Sequence, residues 1–501
     1  MWVGEGAGKE FAMNATNPIA SDLSDASSSH APFWQPVLFA ALAGGMGWGI
    51  RGQYGHETGA MIAGLLVSLV LVFLMCPRAA LLPAARAVAF GTIAIGIGGS
   101  MTYGQTIGLT QNAPVIGNWD AWRWGMLGLG IKGSIWIGFA GLFLGMGLGG
   151  TRYSWRQILL LMLGMFLLYG IGWWALNSPH DPATKSLPRI YFSSSWHWQP
   201  DAGAELQPRP EVWGGQLFAL LGAWVWAGWI RQDRLARNLA LWGMLGGIGF
   251  PIGQCLQSYH AWNPEVFKTG IWATLDPSMN WWNWMETTFG AVMGACLGLG
   301  LWLNRRHISP LTESIETPLK PVIEWALICI HVTMLIVSEF TEVRWANALY
   351  DPGLIIAFIP LIAVAGGRWW PFMLVLPMTL VPIAGKTILE LVYKGQQTGP
   401  VAGWSLYGVL PAVLTTLVAL WFALQAKIGI GGREFARWTL LINAWLYFGL
   451  NYAFFHFPWP WLKWTGRTPN AIAFTVCVLG LTIACLTIGR SQKLEGRDKQ
   501  S

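Results

Sequence analysis

The chain has 501 residues, 54% of them hydrophobic and only 11% charged, whereas a soluble globular chain carries roughly 25% charged residues. That balance excludes a soluble enzyme and predicts an all-α polytopic membrane protein with the lipid bilayer as its main partner. The formal net charge of +7 is expected in loops at the membrane surface and gives no reason to invoke nucleic acid.

Residues 1–34, with Ser27-Ser28-Ser29, lack a basic start and an apolar core, so a disordered cytoplasmic tail is expected rather than a signal peptide. Apolar segments long enough to cross about 30 Å of hydrocarbon then begin near 36, 58, 87, 124, 157, 212, 237, 285, 321, 353, 371, 404, 437 and 470. This is about fourteen helices by hydropathy. The first is short and reads as broken by glycines, and the stretch from Leu354 to Val392 admits more than one division.

The first segment ends in Arg51-Gly52-Gln53-Tyr54-Gly55-His56-Glu57-Thr58, a polar run between two apolar ones. Polar groups left in lipid cost several kcal/mol, so these side chains must face protein, water or a ligand, and a functional site is the default reading. The glycine-rich body before it recurs. Gly44 to Gln53, Gly96 to Gln105 and Gly246 to Gln254 each run through glycines into Gly-Gln, which predicts one helical unit used three times. Returning helices match as well: Trp122-Arg123-Trp124 precedes Gly128, Gly130 and Gly133, and Trp282-Asn283-Trp284 precedes Gly290, Gly294 and Gly298. Small residues at this spacing also serve plain helix packing in lipid, but three amides at one depth point to a shared polar site at Gln53, Gln105 and Gln254, with Gln257 nearby.

Farther along, the mixed-charge stretch 306–320 reads as a cytoplasmic linker between the repeated bundle at 35–305 and a second bundle at 321–490, followed by a charged cytoplasmic tail at 491–501. Lys and Arg occupy every second connection, among them Arg78, Arg86, Arg152, Arg156, Arg231, Arg234, Arg237, Arg305, Arg306 and Arg368. The positive-inside rule makes those connections cytoplasmic. Both termini then lie in the cytoplasm, and the expected location is a bacterial inner membrane.

On that topology the unusual polar residues gather outside. Arg51 offers a planar fork for an anion, and Trp124 and Trp284 are expected to line the binding site with the glutamines. His56, Glu57, Lys132 and Glu286 are the coupling or proton-relay candidates, because a carboxylate in a low-dielectric site titrates with occupancy. Ion pairing is the competing explanation: Glu57 with Arg51, and Glu286 with Lys132 or Arg123. Glu339, Glu342 and Arg344 end the ninth span, and Lys386 is expected to pair with Glu390 four residues on. Six cysteines without CxxC spacing suggest neither disulfides nor zinc. No P-loop, HExxH or GxSxG occurs, so no metal or cofactor is expected. The leading expectation is a permease for a small polar or anionic solute, oligomeric state open; the rival is a membrane-embedded enzyme acting from the outer face on a lipid-linked or saccharide substrate.

Overall fold

The computed structural model describes residues 31–311, 318–341, 343, 345, 353–426, 431–455 and 464–498. Most of the expected N-terminal tail, part of the linker, Glu342, Arg344 and the chain end lie outside these residues. Every named element is helical, and only two isolated β-bridges occur among the described residues. In hydrocarbon this is obligatory, since each backbone N–H and C=O must find its partner within the segment.

In chain order the principal helices are α1 (Trp34–Arg51), α2 (Glu57–Met75), α3 (Leu81–Ile97), α4 (Gly104–Gln111), α5 (Trp119–Leu148), α6 (Trp155–Asn177), α7 (Trp213–Val225, prolonged by a π-turn to Ile230), α8 (Arg234–Gly246), α9 (Gly249–Trp262) and α10 (Trp281–Leu303). The second half contributes α11 (Pro321–Phe340), α12 (Phe358–Gly366), α13 (Trp370–Lys394), α14 (Pro400–Gln425), α15 (Gly432–Phe454) and α16 (Thr468–Asp498). Among the described residues, ten helices or helix pairs are long and apolar enough to cross a membrane. The first expected span is one unbroken helix despite its glycines, because α10 packs along it. Between Leu354 and Val392 the chain divides at Gly367, between α12 and α13.

Helices α2 and α3 form the centre, each 94% buried over its apolar window, while α6, α11 and α14 lie at the periphery and expose rows of Leu, Val and Trp. Close approach is carried by small residues. Gly44 of α1 meets the Gly290 carbonyl, Gly294 lies on Ala40, and Gly298 lies on Pro36, leaving no room for a side chain along the α1/α10 seam. The two expected bundles share one apolar core: α15 packs on α2 and α3, and α16 on α1.

The two ends of the bundle differ in chemistry. At the basic end, the connections are tied to one another: Ser309 N donates to Leu148 O (3.1 Å), Arg231 Nη2 to Arg152 O (2.9 Å), Ala80 N to Leu311 O (2.9 Å) and Gly432 N to Ala79 O (2.6 Å). The other end carries the long Trp-rich segments and the polar side chains described next.

Candidate functional site

The site begins with the turn from α1 to α2. Gly55 adopts φ +89°, a left-handed conformation that side chains resist, and reverses the chain within five residues. Gly99, at the end of α3, lies directly against the His56 and Glu57 backbone; a Cβ there would stand 2.7 Å from Glu57 N. That contact brings Tyr103, just beyond, over the turn. Asn280 caps α10 by accepting from Asn283 N (3.0 Å), and Asn283 Nδ2 donates to Gly49 O (2.5 Å), so the first turns of α10 lie against the end of α1.

Arg51 stands where these elements converge and is 1% exposed. Its Nη2 donates to Glu286 Oε1 at 3.0 Å and to the Tyr103 hydroxyl, and its Nη1 to His56 Nδ1 at 3.2 Å. The guanidinium lies 5.0 Å from the Trp48 ring centroid, 5.5 Å from Tyr103 and 5.4 Å from Trp136, so ring faces replace part of its lost hydration. Its Nε has no hydrogen-bond partner among the described residues. Glu286, 2% exposed, also accepts from Trp282 Nε1 at 3.3 Å and lies within the field of Arg467. Gly52 makes room for it, since a Cβ there would stand 2.7 Å from Glu286 Oε2.

Above the pair is a cleft of about 510 Å³ bounded by His56, Glu57, Tyr103, Tyr169, Arg209 and Trp282. His56 lies in the turn outside the spanning helices. The protein packed round its ring, then the charges of Arg51, Lys386 and Arg209, lower its pKa to about 4. It is therefore a neutral acceptor at pH 7. The charges in and around the cleft are Arg51, Arg209, Arg467 and Lys386 against Glu57, Glu286 and Glu339, the partner of Lys386, and an incoming anion can compete with a carboxylate for a guanidinium.

A second buried pair holds the wall. Lys132 Nζ donates to Glu211 Oε1 (2.7 Å), Thr106 Oγ1 (2.7 Å) and Thr102 O (2.6 Å), and Glu211 also accepts from Ser193 Oγ (2.8 Å), Phe192 N (3.1 Å) and Trp213 Nε1 (3.2 Å). All three ammonium protons are engaged, so this network anchors the segment from 178 to 212 onto α4 and α5.

The expected ion pairs are corrected accordingly. Glu286 pairs with Arg51, Lys132 with Glu211, Arg123 with Asp120 (3.4 Å) and Lys386 with Glu339 (3.8 Å) rather than Glu390. The three glutamines do not share a site. Gln53 faces Arg467, with its amide oxygen 3.1 Å from Nη1 once the amide is oriented for that partner. Gln105 holds the segment between α6 and α7, donating to Gln207 O and accepting from Arg209 N, both at 2.9 Å. Gln254 donates to Thr110 Oγ1 at 2.8 Å. The physical reason is local: the first Gly-Gln stretch closes a helix, the second crosses the break between α3 and α4, and the third puts Gln254 one turn inside α9 after the break at Gly247. Gln257 is buried near it. Trp124 donates to Tyr191 O (2.7 Å) and lines a separate pocket, while Trp284 Nε1 is buried without a hydrogen-bond partner among the described residues. Arg51, His56, Glu57 and Glu286 are thus the expected residues that the fold unites. Tyr103, Trp282, Arg209, Arg467 and Glu211 were not expected at a site. Tyr103 and Trp282 fall inside the repeated motifs, whereas nothing local marks Arg209 or Glu211.

No family model, curated protein or solved structure matches the chain. The functional reading rests on the geometry above.

Proposed function

We propose that the chain is a permease for a small polar or anionic solute, with about fourteen spans in a bacterial inner membrane and both termini in the cytoplasm. The four helical segments Trp34–Arg51, Trp213–Ile230, Gly353–Gly366 and Gly432–Phe454 complete the ten strongly apolar spans. The observation that carries the reading is the fully buried Arg51–Glu286 pair, whose hydrogen-bond partners His56, Tyr103 and Trp282 line an open cleft. A buried ion pair adds little net stability over apolar packing, so its retention at a cleft suits a device that opens. In this mechanism an anionic group of the solute takes the Arg51 fork, and the displaced Glu286 carboxylate takes up a proton from the cleft. Solute and proton then cross together, and Glu57 at the rim is the alternative proton acceptor.

A second reading, a membrane-embedded enzyme acting on a lipid-linked substrate, is favoured by one feature: Tyr169 of the peripheral, lipid-facing α6 forms part of the cleft wall. One experiment separates the two. The purified protein is sealed in liposomes with a pool of cell metabolites outside, and both compartments are compared by mass spectrometry with Arg51→Ala vesicles. A compound that accumulates unchanged inside only with the wild type is the expected result. A compound whose mass changes outside would replace the permease with an enzyme.

A further inference from the structure

The Trp-rich end holds a second pocket of about 660 Å³, separate from the cleft, between the first turns of α5 and the α6–α7 connection. Asp120, Arg123, Trp124, Arg189, His197 and Trp198 supply its chemistry. We propose that this pocket binds an acidic saccharide unit, a pyranose ring bearing a carboxylate. The proposal uses none of the residues of the permease mechanism and stands whether or not solute crosses the membrane.

Three observations carry it. First, the aromatic walls are held in place. Trp124 is fixed by its N–H bond to Tyr191 O at 2.7 Å and by packing on Phe192 at 5.0 Å between ring centroids, and His197 stands edge-on to Trp198 at 4.7 Å. A pyranose has an apolar C–H face and a rim of hydroxyls, and flat rings beside short polar groups match both. Second, the segment carrying Arg189, His197 and Trp198 is not a loose loop. Phe192 N and Ser193 Oγ are bound by the buried Glu211 carboxylate, Tyr191 Oη donates to Arg209 O at 2.9 Å, and Trp198 N donates to Ser195 O at 3.0 Å. A pocket built on a pinned segment binds without first ordering it. Third, the charge is lopsided. Arg123 and Asp120 neutralise each other, both exposed, while Arg189 is exposed and has no acidic partner among the described residues. A guanidinium beside ring faces favours a carboxylate over a neutral sugar.

The test uses the full-length protein in phosphatidylcholine nanodiscs, with saturation-transfer NMR to sodium glucuronate and to glucose. Transfer to both sugars is expected, stronger to glucuronate. Arg189→Ala should reduce the glucuronate signal at least threefold and leave the glucose signal unchanged, and Trp198→Ala should reduce both. Because Arg189 is exposed, its loss does not threaten folding. No transfer to glucuronate with the wild type, or an unchanged glucuronate signal in Arg189→Ala, would overturn the proposal. So would native mass spectrometry in which phosphatidylglycerol stays on the wild type but not on Arg189→Ala while neither sugar binds, which would make the pocket a lipid headgroup site.

Discussion

Removing one member of the Arg51–Glu286 pair leaves the other charge buried without its counter-ion. Such a loss costs about 3–5 kcal/mol, whereas exchanging both partners for apolar residues of similar volume is often neutral. Glu286→Leu and Arg51→Met should each lower the thermal midpoint in detergent by many degrees, while the Arg51→Met/Glu286→Leu double variant returns close to wild type and is inactive in the liposome assay. Circular dichroism melts of the four proteins check this. A double variant destabilised by the sum of the singles would show that the two groups do not act as a pair. Arg51 and Glu286 were each legible from sequence as polar groups that lipid rejects. Their pairing was not, because the partners lie 235 positions apart and hydropathy says nothing about which helices touch. The same gap hid Glu211: it sits in the connection between α6 and α7, where a carboxylate is ordinary, and only the fold brings it to Lys132.

At the scale of the helix, glycine has two unlike uses here. On the α1/α10 seam a Cβ at Gly290 would collide with the Gly44 carbonyl and with Trp48 Cβ, and backbone atoms cannot step aside as a flexible side chain can. On α6, by contrast, a Cβ at Gly164 meets nothing within 4 Å. Replacing glycine by alanine within a helix otherwise gains roughly 0.5–1 kcal/mol. Gly164→Ala should therefore be neutral or slightly stabilising. Gly290→Ala should be destabilising by about 1–3 kcal/mol, the range for overpacking, and should lower solute uptake because the seam positions Glu286. Melting temperatures of both variants decide the matter, and equal values would remove the seam from the account of stability. The positions of the helices were largely readable, since apolar length is set by the bilayer. The Gly-Gln motif misled for a physical reason. Glycine permits a helix end, a break or a close crossing equally well, and neighbouring helices choose among them, so identical motifs at Gln53, Gln105 and Gln254 acquire different structures and different partners.

For the whole molecule, the segregation of charge between two ends is the property with the widest consequence. Hydrogen bonds knit the connections carrying Arg78, Arg152, Arg231 and Arg305 into one basic end, and the start of α1 belongs to it, since Trp302 Nε1 donates to Ala31 O at 3.1 Å. The opposite end carries the cleft, the saccharide pocket and the segment held by the Lys132–Glu211 network. If short basic loops are retained on the cytoplasmic side, both binding features face outward and any ligand meets them without crossing the membrane. Orientation can be read directly with a membrane-impermeant maleimide on intact cells. Cys255 and Cys329, the two exposed cysteines of six, are first replaced by serine. Lys185→Cys, in the connection between α6 and α7, should then label in intact cells, and Arg306→Cys, just past the end of α10, only after the membrane is opened. The reverse pattern would place the cleft on the cytoplasmic side, so that the permease, or an enzyme in its place, is loaded from inside. Labelling of both from outside would contradict a single spanning bundle altogether.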